Sequence, residues 1–106
     1  MSQINVLALF RAKTQHRDEL KQRLSALAEA VHAEPGCLLY SLQQGTDDPD
    51  VFAYVEKWDS EEALAAHGKA PHMLEGAAER SALMAEPGRV VFTRSVGAGT
   101  VEQGVL

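Results

Sequence analysis

Residues 51–58, VFAYVEKW, form the segment that most restricts how this chain can fold. Bulky β-branched and aromatic side chains favour a strand, and the side chains of a strand alternate between its two faces. One face therefore carries Phe52, Tyr54, Glu56 and Trp58, and the other carries Val51, Ala53, Val55 and Lys57. Because both faces are largely apolar, this strand needs a covering layer on each side.

A helix is predicted from Arg17 to Val31, where apolar residues recur at spacings of three and four and so lie on one stripe. Pro35 and Gly36 end it. Strands are predicted for residues 3–12, 37–44 and 89–96, and the polar turn at residues 45–50 joins the second and third strands as a hairpin. A helix capped by Asp59 or Ser60 should end near His67 and Gly68, and a second helical piece should run from Pro71 to Met84.

The resulting order, β-α-β-β-α-β, predicts an α+β ferredoxin-like domain, with two helices on one face of a four-stranded antiparallel sheet. We assign residues 1–96 to this domain and residues 97–106 to a C-terminal tail, which either frays or latches onto a second subunit. The uncovered face of the sheet would carry Val51, Ala53 and Val55. Such an apolar surface is large for a small domain to leave exposed, so we expect a homodimer that pairs two sheets face to face.

Composition excludes several function classes. The chain has 106 residues and a formal net charge of −5. This charge disfavours nucleic acid and anionic membranes as partners, because both are negatively charged and bind basic patches. The single cysteine, Cys37, cannot form an internal disulfide, and no C-x-x-C pair is present. The N-terminal apolar run is short and is interpreted as a strand rather than a signal peptide. We therefore expect a cytoplasmic protein without a membrane span.

The segment from Glu56 to Met73 is the richest in side chains that can take part in catalysis or ligand binding. It places a carboxylate, an indole and the imidazoles of His67 and His72 at a strand-to-helix junction, and these groups can hold a flat ring and move a proton. The two histidines are five positions apart with Pro71 between them, so they lack the spacing of a helical metal-binding pair. We predict no metal site.

The chain resembles the antibiotic biosynthesis monooxygenase (ABM) domains over about residues 4–95. The resemblance is carried by E-P-G-C-L-x-Y at 34–40, E-x-W-x-S at 56–60 and A-H-x-x-x-P-H at 66–72. It implies a dimeric α+β barrel with a substrate pocket between sheet and helices in each subunit. It also implies a monooxygenase of quinol or hydroxylated polycyclic aromatic substrates that uses O₂ and no cofactor. The family further includes haem-degrading enzymes and an isomerase, so fold alone does not decide the function.

The resemblance also suggests roles for particular residues. Glu56, His67 and His72 are the candidate catalytic groups, with Glu56 partly buried at a raised pKa as a base, or else a structural carboxylate bonded to backbone or to a histidine. Each histidine either lines the pocket or bonds backbone at a helix end. The candidate substrate-binding residues are Trp58, Phe52, Tyr54 and Tyr40. Trp58 either stacks on the substrate or closes the core, and the two tyrosines either supply phenolic donors or pack in the core or the dimer interface.

The alternatives to the oxygenase are an isomerase that moves protons with Glu56 and His72, and a dimer that only binds a ligand. A phosphorylated isomerase substrate would favour a basic pocket, for which Lys69 is the candidate. Haem degradation is disfavoured, because Asn5 lies too early in its strand to match that branch and residues 74–77 contain no histidine.

Overall fold

The computed structural model describes residues 3–106 and is built on one antiparallel sheet with the strand order β2-β3-β1-β4. The strands are β1 (Ile4–Arg11), β2 (Cys37–Gln44), β3 (Val51–Trp58) and β4 (Arg89–Thr93). The helices are α1 (Arg17–Val31), α2 (Glu61–Gly68), α3 (Pro71–Leu74), α4 (Ala77–Ala82) and α5 (Val101–Gly104), and a 3₁₀ turn spans Thr14–His16. The predicted α+β ferredoxin-like fold is confirmed.

Helix α1 packs its apolar stripe on the sheet as the sequence predicts. Leu20, Leu24 and Val31 are almost completely buried. Burying a side chain of this size contributes about 1.5–3 kcal/mol relative to leaving it exposed. The hydroxyl of Tyr54 on β3 donates to the carbonyl of Leu24, which fixes the helix against the centre of the sheet.

The second helical region is more broken than the sequence predicts. Ser60 caps α2 by accepting a hydrogen bond from the amide of Ala63 at 3.0 Å, as expected. The predicted piece from Pro71 to Met84, however, is two short helices. Gly76 separates α3 from α4 because its backbone takes a left-handed φ of 75°, which glycine adopts without steric cost.

The two faces of the sheet differ as predicted. On β3 the side chains of Phe52, Tyr54, Glu56 and Trp58 are buried beneath the helices. The opposite face has no helix layer in the single chain, and apolar side chains make up most of its centre. Its large apolar residues that are at least a third exposed are Leu7, Leu9, Leu39 and Val91.

The last ten residues fold back on their own chain. Thr100 caps α5 through the amide of Gln103. The amide of Leu106 donates to Oγ of Ser95, and its carbonyl accepts from the side chain of Gln3. The last strand is also shorter than predicted and ends at Thr93. Within residues 3–106 no helix has both the length and the apolar character that crossing a membrane requires.

Candidate functional site

A cavity of about 340 Å³ lies between the sheet and the helices. It is at the lower end of the size range of small-molecule pockets, roughly 300–1,000 Å³. Its wall is mostly apolar, with β1, β2 and β3 below, α1 to α4 above and β4 at one side. Val90 and Phe92 of β4 line it although both are at least half exposed, so the cavity opens over that strand. The ionisable side chains in its wall are Tyr40, Tyr54, Glu56, His67 and Arg80.

Glu56 is a buried carboxylate at the floor of this cavity, with only 4% of its surface exposed. Its partner is Trp58, whose indole N–H donates to Oε1 at 3.0 Å. Burial raises the pKa of Glu56 to about 7, the bond from Trp58 opposes this rise, and the charge of Glu34 adds to it. The predicted raised pKa is confirmed. The predicted structural partners, backbone or a histidine, are not the ones observed.

Trp58 and Phe52 support the cavity from behind instead of lining it. Both are almost completely buried, and neither contributes to the wall. The ring of Trp58 lies 4.6 Å from the ring of His67, centroid to centroid, at an angle of 36°. Of the two predicted roles for Trp58, the structure places it in the core, where it positions Glu56 and His67. The same burial keeps Phe52 away from a ligand in the cavity.

Tyr40 and Tyr54 both line the cavity, and their rings lie 4.3 Å apart. The hydroxyl of Tyr54 is used by the carbonyl of Leu24. The hydroxyl of Tyr40 makes no hydrogen bond to any residue in the described part of the chain, so it is free for a ligand. Burial raises the pKa of both phenols above its ordinary value, which keeps both neutral and able to donate.

The two histidines meet on a carboxylate that the sequence analysis did not select. Nδ1 of His67 lies 3.0 Å from Oε2 of Glu34, and Nε2 of His72 bonds the same oxygen. His67 lines the cavity, whereas His72 lines a separate cleft outside α1 and α3. In the sequence, Glu34 stands beside the helix stop at Pro35 and Gly36 and begins the E-P-G-C-L-x-Y motif, and neither feature assigns it a role in the site. Its position directly before Pro35 and Gly36, where the chain turns back toward β2, is the signal that could have indicated it.

Arg80 is the second group that the sequence analysis missed. Its guanidinium donates to the carbonyl oxygens of Met73 at 2.8 Å and Glu75 at 3.1 Å, and the side chain lines both the cavity and the cleft. Its positive charge works against the burial that raises the pKa of Tyr40 and Tyr54. No pattern in AAERSA indicates this role, because a lone arginine on a short polar helix usually faces solvent.

Asn5 lies on the other face of the sheet. Its register partners are Lys57 on β3 and Thr93 on β4, which alternate away from the helices. It is only 3% exposed, and its Oδ1 has no hydrogen-bond partner among residues 3–106. It therefore cannot reach the cavity, which strengthens the distinction from the haem-degrading branch. Within the same residues, no group of three or more His, Cys, Asp or Glu side chains could hold a metal ion.

The fold and the cavity define an α+β ferredoxin-like domain with a ligand-sized chamber between its sheet and helices. The family model for antibiotic biosynthesis monooxygenase matches residues 3–79, and the chain belongs to this family. "Putative monooxygenase Rv0793" of Mycobacterium tuberculosis is 30% identical over 86 residues, which cover 81% of this chain and 84% of that protein. "Putative monooxygenase YcnE" of Bacillus subtilis is 28% identical over 86 residues, which cover 81% and 90%.

Solved structures agree with this assignment. The structure of Rv0793 superimposes with a TM-score of 0.85 and covers 93% of this chain and all of that chain. The crystal structure of PA3566 from Pseudomonas aeruginosa gives a TM-score of 0.81 at 28% identity and covers 88% and 93%. The names of the relatives and the family support a monooxygenase-type enzyme.

Proposed function

We propose that the protein is a homodimeric, cofactor-independent monooxygenase that oxidises quinols or other hydroxylated aromatics with O₂. The observation that carries the proposal is a carboxylate, Glu56, whose pKa is raised to about 7 in the floor of an apolar cavity. A base with a pKa near the working pH removes a proton most effectively, and a phenol is a substrate that such a base can activate.

The reaction needs no group beyond an electron-rich substrate and O₂. The hydroxyl O–H bond breaks as its proton moves to Glu56, and the phenolate then gives one electron to O₂. The resulting radical and superoxide combine at a ring carbon, and the peroxide takes back the proton. The C–H bond at that carbon and the O–O bond then break, which releases water and leaves a new carbonyl. One oxygen atom of O₂ therefore ends in the product and the other in water.

The other polar groups of the cavity suit the negative charge that develops on the substrate oxygen. Tyr40 offers a free phenolic O–H, and Arg80 supplies the positive charge. Such preorganised donors are usually the largest electrostatic contribution to catalysis in a site that excludes water. The phenyl rings in the cavity wall are those of Phe10 and Phe92, which with Tyr40 can hold a flat ring. The cavity volume favours substrates with one or two fused rings.

Oxygen consumption tests the proposal directly. Chelator-treated protein should consume O₂ with reduced benzoquinones or naphthoquinones faster than buffer alone, and ¹⁸O₂ should label the organic product with one atom. Glu56→Gln, which keeps the size of the side chain and removes its basicity, should lower the rate by about 10²–10⁴-fold. A rate equal to the non-enzymatic background across the panel would contradict an oxygenase.

The isomerase alternative has less support. Lys69, its candidate phosphate-binding group, is exposed at the end of α2 and does not line the cavity. The wall there is apolar, whereas a small phosphorylated hydroxy-carbonyl would need many hydrogen-bond donors. A dimer that only binds its ligand would bind quinol saturably but would consume no O₂ above the background in the same assay.

A further inference from the structure

The Glu34 cluster, which consists of Glu34, His67 and His72, lies between the cavity and the outer cleft. The imidazole of His67 is 7% exposed and lies in the wall of the cavity. The imidazole of His72 is 30% exposed and lies in the outer cleft. Between them, the carboxylate of Glu34 is 11% exposed and bonds both rings through the same oxygen. A continuous chain of three titratable groups therefore runs from the wall of the cavity to the solvent in the outer cleft.

Each ring keeps a nitrogen free for proton exchange. His67 uses Nδ1 for Glu34, and its Nε2 makes no hydrogen bond to the described residues. His72 uses Nε2 for Glu34, and its Nδ1 is likewise unused within residues 3–106. In His67 a hydrogen bond from Nδ1 to the carboxyl group of Glu34 fixes the tautomer and leaves Nε2 as the proton acceptor, as in catalytic triads.

We propose that His67, Glu34 and His72 form a proton path between the cavity and the outer cleft. The path rests on the proposed function, because its purpose is to accept a hydroxyl proton from a ligand that seals the cavity. In the starting state Glu34 carries a proton that it donates to Nε2 of His72, and His72 carries its own proton on Nδ1. The ligand O–H bond breaks as an N–H bond forms at Nε2 of His67. The Nδ1 proton of His67 then moves to Glu34, the Glu34 proton moves to Nε2 of His72, and Nδ1 of His72 releases its proton to water. No electron is transferred, and the reverse order delivers a proton to the cavity.

The surroundings of the path separate it from Glu56. The two carboxylates are close enough that the charge of Glu34 raises the pKa of Glu56, yet no hydrogen bond joins them. Glu56 is bonded by Trp58 instead, so it can hold one proton but has no bonded route to solvent. Two other titratable groups that face the path lie on β2, namely Cys37 at the start of the strand and Tyr40. The charged groups around the cleft are Arg23, Glu75 and Arg80.

The test isolates the path from the other base. Because Glu56→Gln removes the competing acceptor, every further substitution is made in that variant. The probe is 4-nitrophenol, whose phenolate absorbs visible light, mixed with protein in a stopped-flow instrument without O₂. We expect the phenolate to form on binding in Glu56→Gln, at a rate that does not depend on buffer concentration.

Adding His72→Asn should slow phenolate formation roughly tenfold in dilute buffer, and added imidazole should restore the rate in proportion to its concentration. Asparagine can still form a hydrogen bond with Glu34 but cannot carry a proton, so a structural role for His72 would leave the rate unchanged. Adding Glu34→Gln should slow the rate without recovery in imidazole, and adding His16→Asn, at a histidine outside the site, should change nothing.

Three results would overturn the path: no phenolate in Glu56→Gln, an unchanged rate in the His72→Asn variant, or a slowed rate that imidazole does not restore. Melting curves for each variant identify any that fails to fold, in which case His72→Gln replaces His72→Asn. Because the probe needs no oxygen, the path can stand if oxygenase activity is absent, and oxygenase activity can stand if the path fails.

Discussion

Trp58 donates its indole N–H to Glu56, two positions earlier on the same face of β3, at 3.0 Å. This bond stabilises the ionised carboxylate and so lowers the pKa of Glu56 against the larger effect of burial. A single strand therefore supplies both the base and the group that tunes it.

Replacing Trp58 with Phe should move the pH dependence of the reaction. Phenylalanine keeps an aromatic ring in the core but donates no hydrogen bond, so the pKa of Glu56 should rise above about 7. A general base works only when it is ionised, and activity should therefore rise with pH through a midpoint that is higher in the variant. The pH profile of kcat/KM measures this shift. An unchanged midpoint would mean that Glu56 is not the base.

The pKa of Glu56 also predicts how stability depends on pH. Its value is 4.5 in an unfolded chain and about 7 in the folded one, so between these values the folded protein binds more protons. The contribution of Glu56 to the free energy of unfolding is therefore fully present below pH 4.5. It falls as the pH rises through about 7, by up to about 3 kcal/mol in total. Urea unfolding at pH 5 and pH 8 should show this loss, and Glu56→Gln should remove it. If the native protein and the Glu56→Gln variant were each equally stable at pH 5 and pH 8, the raised pKa of Glu56 would be contradicted.

The sequence predicts the fold well because its patterns are local. The stripe of α1 and the two-face alternation of β3 depend on residues a few positions apart, and both are observed. The break at Gly76 was missed because a glycine inside a helical pattern does not by itself indicate a left-handed backbone. Glu34 and Arg80 were missed for another reason. Each reaches its partners through the packing of separate elements, and Glu34 is 33 and 38 positions from the two histidines that it bonds.

The two tyrosines of the cavity form a matched pair for mutation. Tyr54→Phe removes a buried hydrogen bond and leaves the carbonyl of Leu24 without that partner, so it should destabilise the fold by about 1–3 kcal/mol. Tyr40→Phe removes an unused hydroxyl, so stability should change little, but the rate should fall by about a hundredfold if this donor stabilises the substrate anion. Urea unfolding and steady-state kinetics on both variants measure the two effects. Equal rates for the two variants would contradict the role of Tyr40.

The uncovered face of the sheet predicts the oligomeric state. Leu7, Leu9, Leu39 and Val91 are 36–42% exposed in the single chain, although they lie on the central surface of the domain. Pairing two such faces would bury apolar area worth ~25 cal/mol per Å², over the ~800 Å² per partner that a stable interface requires. Light scattering at micromolar concentration should then give about twice the chain mass of 11.5 kDa.

Val55→Asp should abolish this dimer, because Val55 lies at the middle of β3 on the uncovered face and the substitution would bury an unpaired charge there. Ala65→Asp is the matched control, since it adds the same charge at an exposed position of α2 and should leave the mass unchanged. The Val55 variant should scatter as a folded particle of single-chain mass, with its helical circular dichroism retained. A native mass of 11.5 kDa, or a Val55 variant that remains a dimer, would show that this face does not join two subunits.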